Sequence, residues 1–187
     1  RYADGRNLYW MTSPDGRAWS EPHKLAKIEM GDYQISWRAG TRVATAFDYH
    51  PKPLGLHTRA NLYYLETSDF GRTWRNGEGK PVATPVTNVA NAALVYDSRK
   101  EGLLVYLKDL NFDAQGHPVI LFLTSKGFEP GPANGPREWR TARWTGKEWL
   151  IRPFTTSGNN SDHGSLYVEP DGTWRVTLNA LKPGDVL

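Results

Sequence analysis

The stretch Thr67-Ser68-Asp69-Phe70-Gly71-Arg72-Thr73-Trp74 satisfies the pattern Ser/Thr-x-Asp-x-Gly-x-Thr-Trp at every specified position. Its chemistry is that of a hairpin turn. The Asp carboxylate accepts hydrogen bonds from turn amides, and Gly takes φ > 0 without steric cost. The Trp that follows plugs the gap between neighbouring strands as a large apolar anchor. Such a turn sets architecture and performs no catalysis.

Degraded forms recur on both sides of it. Asn7-Leu8-Tyr9-Trp10 leads into Thr12-Ser13-Pro14-Asp15-Gly16-Arg17-Ala18-Trp19, as Asn61-Leu62-Tyr63-Tyr64 leads into the full motif. A third unit runs from Val119-Ile120-Leu121-Phe122-Leu123 to Trp144-Thr145-Gly146-Lys147-Glu148-Trp149, and a fourth joins Ser165-Leu166-Tyr167-Val168 to Pro170-Asp171-Gly172-Thr173-Trp174. Units near 7–19, 61–74, 119–149 and 165–174 recur at roughly 45 to 60 residues, the range of four-stranded propeller blades. The expectation is an all-β chain, a β-propeller of four-stranded antiparallel blades. At about 50 residues per blade, residues 1–187 supply three to four blades, a single partial propeller domain. Open strand edges and apolar blade faces would then make the chain poorly soluble or oligomeric when expressed alone.

Composition agrees. Aromatics make up 12% of the chain, with eight Trp and nine Tyr, and Gly and Pro are plentiful, which favours a turn-rich β protein over a helical bundle. Strand signals lie at 42–47, 62–66, 92–96, 103–107, 119–124 and 174–178, separated by turn pairs such as Asp15-Gly16, Asn76-Gly77 and Asp171-Gly172. Residues 127–136, rich in Gly and Pro, read as an irregular loop. No apolar run is long enough to span a membrane. The absence of cysteine excludes disulfides, thiolate nucleophiles and Cys-ligated zinc. The net charge of +3 comes from scattered basic residues, unlike the clustered footprint of a nucleic-acid binder. It fits a solvated surface or a positive cleft for an acidic polysaccharide.

Three polar clusters could carry chemistry. The first, from Phe47-Asp48-Tyr49-His50 to Gly55-Leu56-His57-Thr58-Arg59 and Tyr64, offers His as base, Tyr as acid and Arg as carboxylate clamp. Loop capping by the histidines and packing of Tyr between blades account for the same residues. The second, Lys108-Asp109-Leu110-Asn111-Phe112-Asp113, leaves an apolar strand as either a ligand site or an Asx turn. The third, Asn159-Asn160-Ser161-Asp162-His163-Gly164-Ser165, pairs Asp162 with His163 as an acid/base couple or as turn residues. Arg137, at the end of the Gly/Pro loop, is suited to a uronate carboxylate or to stacking on Trp139 or Trp144. His spacing gives a metal little support, and no cofactor is expected.

Together these segments resemble the BNR repeat-containing family of carbohydrate-active propellers, whose hairpin turns carry the Asp-box. The segments are His57 to Thr67 running into the box, Val105 to Asp113, Pro132-Ala133-Asn134-Gly135-Pro136-Arg137, and Asp162-His163-Gly164-Ser165-Leu166-Tyr167. The family includes seven-bladed lyases acting on ulvan and relatives that cleave rhamnose–glucuronate linkages, some by hydrolysis. The resemblance implies about half of such a propeller, in a secreted or periplasmic parent protein, acting by β-elimination on an acidic polysaccharide. It makes His57 the acid or base and Arg137 the carboxylate neutraliser. His50, Arg59, Tyr64, Lys108, Asp109, Asn111, Asp162 and His163 would contact substrate. One departure stands out: the lyases place a Tyr ahead of that Arg, where this chain has Phe122 in Ile120-Leu121-Phe122-Leu123. A hydrolase or a non-catalytic sugar-binding propeller is the alternative. A sialidase, which requires an arginine triad with a Tyr–Glu nucleophile pair, ranks behind these readings because no Phe/Tyr-Arg-Ile-Pro segment occurs in the sequence.

Overall fold

The computed structural model describes residues 6–130 and 132–179. Strands β1 (Leu8–Trp10) and β2 (His23–Ala26) form a two-stranded sheet. Strands β3 (Gln34–Ala39), β4 (Arg42–Tyr49), β5 (Ala60–Thr67) and β6 (Leu94–Tyr96) form a four-stranded one. A second four-stranded sheet contains β7 (Leu104–Phe112), β8 (Pro118–Ser125), β9 (Arg137–Trp144) and β10 (Trp149–Ser157), and β11 (Gly164–Val168) pairs with β12 (Trp174–Leu178). Every ladder between these strands is antiparallel, and strands adjacent in sequence are adjacent in the sheet. Among the described residues the helical turns are two short 3-10 segments, Ser98–Glu101 and Pro132–Asn134.

The sheets pack in chain order, one core between each pair. Side chains alternate across a strand, so β5 sends Tyr63 and Leu65 toward the first sheet and Leu62 and Tyr64 toward the third. The next core gathers Tyr106, Val119, Leu121, Leu123 and Trp139 against Leu166 of β11. Burial on both faces explains why β5 and β8 read as apolar runs.

Each junction is also closed by one indole lying on a glycine. A Cβ on Gly71 would come 2.6 Å from the Trp10 ring, one on Gly77 2.9 Å from Trp149, and one on Gly164 2.6 Å from Trp139. Only a residue without a side chain permits that approach.

The hairpin motif folds as its composition dictates. Asp69 Oδ1 accepts from Thr73 N at 2.9 Å and from the Thr67 hydroxyl at 2.9 Å, while Gly71 N donates to Thr67 Oγ1 at 3.0 Å. Gly71 has φ +85° and Trp74 is buried. The degraded copy repeats the scheme, with Asp15 Oδ1 accepting from Arg17 N and Ala18 N. Two features differ from expectation. Trp19 is 58% exposed and plugs nothing. The turn at 169–173 joins β11 to β12, the position occupied by the Asp113 turn between β7 and β8. The motifs at 67–74 and 145–148 instead join third to fourth strands.

The expected strands overlap β4 to β8 and β12, with 92–93 and 103 lying outside β6 and β7. Strands β2, β3, β9 and β10 were not anticipated. In β9 charged residues alternate with buried Trp139, Ala142 and Trp144, so its apolar face is diluted.

Candidate active site

The connections β4–β5, β8–β9 and β10–β11 converge with strands β3 and β7 around a cleft of about 470 Å³. His57 and Arg59 enter from the first connection, Phe128 from the second, and Asn160, Ser161 and His163 from the third. Tyr106 and Lys108 come from β7.

The β7 register slips between Leu107 and Asp109, leaving Lys108 as the extra residue of a β-bulge, a device that re-aims a side chain. Lys108 Nζ donates to the Asn160 carbonyl at 2.7 Å. Burial, reinforced by the nearby Arg59 charge, pulls its ammonium down to about 8, with the Asp162 carboxylate opposing. Arg59 makes cation–π contacts with two rings, its Cζ lying 4.3 Å from the Tyr33 centroid and 5.2 Å from that of Tyr106. His57 is exposed and stacks on Phe128 with centroids 5.3 Å apart. The cleft therefore presents a permanent cation, a titratable one and two imidazoles, those of His57 and His163. This equipment suits an anion that must lose a proton.

Behind Arg59 lies a buried polar group. Asp48 is fully buried, accepts from Tyr33 N at 3.3 Å, and is pushed well above the carboxylate range by burial, with Arg59 opposing. Burial pushes Asp32 up to about 8, with the Asp48 charge adding and the Ile28 backbone amide opposing. His50 is pulled down to about 4 by burial. The signs give a pH profile. Asp32 keeps its proton when folded but loses it from the ordinary carboxylate value when unfolded, so its contribution to stability falls as pH rises from about 4 to about 8. His50 acts oppositely, costing stability as pH drops from its ordinary value toward about 4. Asp32→Asn is expected to melt higher than the parent at pH 8, with the gain shrinking toward pH 4. Thermal melts across that range check it, and a pH-independent difference would remove Asp32 as the cause.

The expected site residues divide. Of them, His57, Arg59, Lys108 and His163 line the cleft. His50 does not: it is fully buried, its Nδ1–H donates to the Thr58 carbonyl at 3.1 Å, and it meets Tyr33 edge-on. Tyr64 is fully buried between sheets, donating to Glu66 Oε2 at 2.6 Å and contacting Trp149. Asp109 and Asn111 tie β7 to β11 through Leu166 N at 2.7 Å and Leu166 O at 2.9 Å. Asp162 accepts from the Ser157 hydroxyl. Arg137 is the first residue of β9 rather than a loop residue, and it is 3% exposed. Its Nε donates to Asn160 Oδ1 at 3.0 Å and its terminal nitrogen to the Glu129 carbonyl at 2.5 Å. Asn160 in turn donates to the carbonyls of Gly127 and Phe128. Arg137 thus fixes the wall carrying Phe128, with its Nε and one terminal nitrogen bonded to protein oxygens.

Tyr33, Tyr106 and Phe128 were missed. Tyr106 stood in a quoted segment, but nothing in the sequence told which of the many Tyr would reach the cleft.

The chain is 28% identical over 189 residues to an ulvan lyase from Alteromonas sp. (strain LOR), covering 91% of this chain and 37% of that protein. Its fold matches a PL25 ulvan lyase with a TM-score of 0.67 at 21% identity, over 86% of this chain and 41% of the other. The same values describe a PL25 ulvan lyase bound to -[GlcA(1-4)Rha3S]-. Polysaccharide lyase Uly1 matches with a TM-score of 0.64 at 12% identity, over 86% of this chain and 37% of that one. The chain spans about two fifths of these relatives' length, and at such identities the structural likeness is one of fold. A family model matches residues 4–157, most of the described strands, and the chain belongs to the BNR repeat-containing family.

Proposed function

We propose that residues 1–187 are a partial domain of a seven-bladed β-propeller, secreted or periplasmic, that cleaves uronic-acid-containing polysaccharide by β-elimination. The observation that carries this reading is the cleft in which Arg59 and Lys108 stand beside His57 and His163. Further support comes from the ulvan lyase relative and from the lyase bound to a glucuronate–rhamnose unit.

In this reading the uronate carboxylate lies against the Arg59 guanidinium, with the Lys108 ammonium beside it. Offsetting the carboxylate charge makes the C5 proton acidic, an electrostatic contribution of several kcal/mol. The His57 imidazole, exposed at the cleft mouth, takes that proton. The C5–H pair becomes the C4=C5 double bond, and the 4-linked sugar departs. His163 contacts the sugar hydroxyls from the opposite connection, and Arg137 keeps the Phe128 wall in place.

The test uses the full-length protein on a panel of uronate polysaccharides, ulvan included, followed by the ultraviolet absorbance of the unsaturated uronate. A rise is expected, reduced about 100-fold in His57→Ala, the scale of a lost general base. Reducing sugar without absorbance would make the protein a hydrolase. Binding without either product would make it a sugar-binding propeller.

A further inference from the structure

We infer that Asp48 is a positioning residue for Arg59, an inference that rests on the proposed seating of a uronate on that guanidinium. By holding or releasing a proton, the buried Asp48 carboxyl sets how strongly Arg59 attracts an anion in the cleft. The β4 register slips between Phe47 and Tyr49, so Asp48 is the extra residue of a β-bulge, as Lys108 is on β7. Its amide donates to the Tyr33 carbonyl at 3.1 Å, and its Oδ1 accepts from the Tyr33 amide at 3.3 Å. The bulge is thereby tied to the β2–β3 connection. Asp48 Oδ2 is buried without a hydrogen-bond partner among the described residues, and so is Arg59 Nε.

The charged and titratable groups around Asp48 come from three directions. The β2–β3 connection brings Asp32 and Tyr33, the β4–β5 connection His50 and Arg59, and β7 Tyr106. Arg6 lies over the Tyr33 ring at 4.6 Å. Among these groups Arg59 is the cation that favours the Asp48 carboxylate, while Asp32 is a second acid whose charge opposes it. Burial holds the Asp48 carboxyl well above the ordinary carboxylate range against the pull of Arg59. An ionised Asp48 and a uronate carboxylate therefore compete for one guanidinium. Seating the uronate withdraws support from the Asp48 carboxylate, which takes a proton from solvent. By reciprocity, ionising Asp48 weakens uronate binding.

The experiment compares the full-length protein with Asp48→Asn, a substitution that keeps the shape of the protonated acid. The probe is methyl glucuronide, which carries the carboxylate but no 4-linked sugar to lose, with methyl glucoside as the neutral control. Its Kd is measured from about pH 6 to about pH 9. Affinities are expected to agree within about threefold at the acidic end, with the variant about tenfold tighter at the alkaline end, the scale of one pKa unit of coupling. Lys108 loses charge over the same range, but it does so in both proteins and cancels in the ratio. A variant weaker than the wild type at every pH would reduce Asp48 to a structural support. A ratio that does not change with pH would remove its proton from the binding. Infrared difference spectra of the unmodified protein give a readout that needs no variant. Adding methyl glucuronide at alkaline pH is expected to increase the band of protonated buried carboxyl, and no increase would overturn the coupling. Failure of the wild type to prefer methyl glucuronide to methyl glucoside at any pH would instead sink the seating of a uronate on Arg59, and the role of Asp48 with it.

Discussion

Arg59→Ala is expected to lower kcat/KM on a uronate polysaccharide by about 1,000-fold, the upper range for removing one preorganised charge-stabilising group. The size follows from geometry. Arg59 is a permanent cation, and its guanidinium is held by contacts with the Tyr33 and Tyr106 rings. The charge therefore costs little to reorganise when the C5 anion develops. Lys108, pulled down to about 8, is a weaker substitute, because part of its population is neutral at the pH where lyase chemistry would be assayed. Arg59→Lys is expected to recover only a minor part of the loss, since an ammonium neither stacks flat nor meets a carboxylate bidentately. Initial rates of unsaturated uronate formation, with thermal melts to verify folding, decide the matter. An alanine variant that folds and retains activity within about tenfold of the wild type would move the neutralising role to another residue.

Trp139→Ala is expected to destabilise the protein by about 3–5 kcal/mol, as large aromatic truncations in cores do. Trp139 is fully buried, its Nε1–H donates to the Asn179 carbonyl at 2.9 Å, and its ring rests on Gly164. Removing it leaves a cavity facing Leu121, Leu123 and Leu166, and an acceptor at Asn179 without its partner. Gly164 cannot move in to fill the space, because β11 is pinned through Leu166 to Asp109 and Asn111. Urea unfolding of the full-length protein measures the change. A loss below about 1 kcal/mol would mean that the junction relaxes around the cavity.

Much of the architecture was legible because its residue types are dictated locally. Gly71 is required by a positive φ, Asp69 by amides needing an acceptor, and the β5 apolar run by burial on both faces. The site was legible only in part. His57, Arg59, Lys108 and His163 reach the cleft, whereas His50 and Tyr64, of equally suggestive type, turn into cores. Which face an alternating residue takes depends on register, and one inserted residue at Lys108 resets it without marking the sequence. The Arg59 clamp joins Tyr33 of the β2–β3 connection to Tyr106 of β7, a proximity that no local pattern encodes. Arg137 looked like a free cation beside a loop. Its destination was decided by Asn160 and by backbone carbonyls that a linear reading cannot orient.

The indole-on-glycine contacts at the three junctions have a consequence for closure of the proposed ring. The thickness of each contact sets the angle between one sheet and the next. In an open stack a small angular error stays where it arises. Around a ring the steps must sum to one full turn, so an error at one junction has to be shared by all the others or the last sheet fails to meet the first. A methyl group added at Gly71, Gly77 or Gly164 would therefore act as a wedge felt on the far side of the molecule. These glycines serve as gauges of curvature.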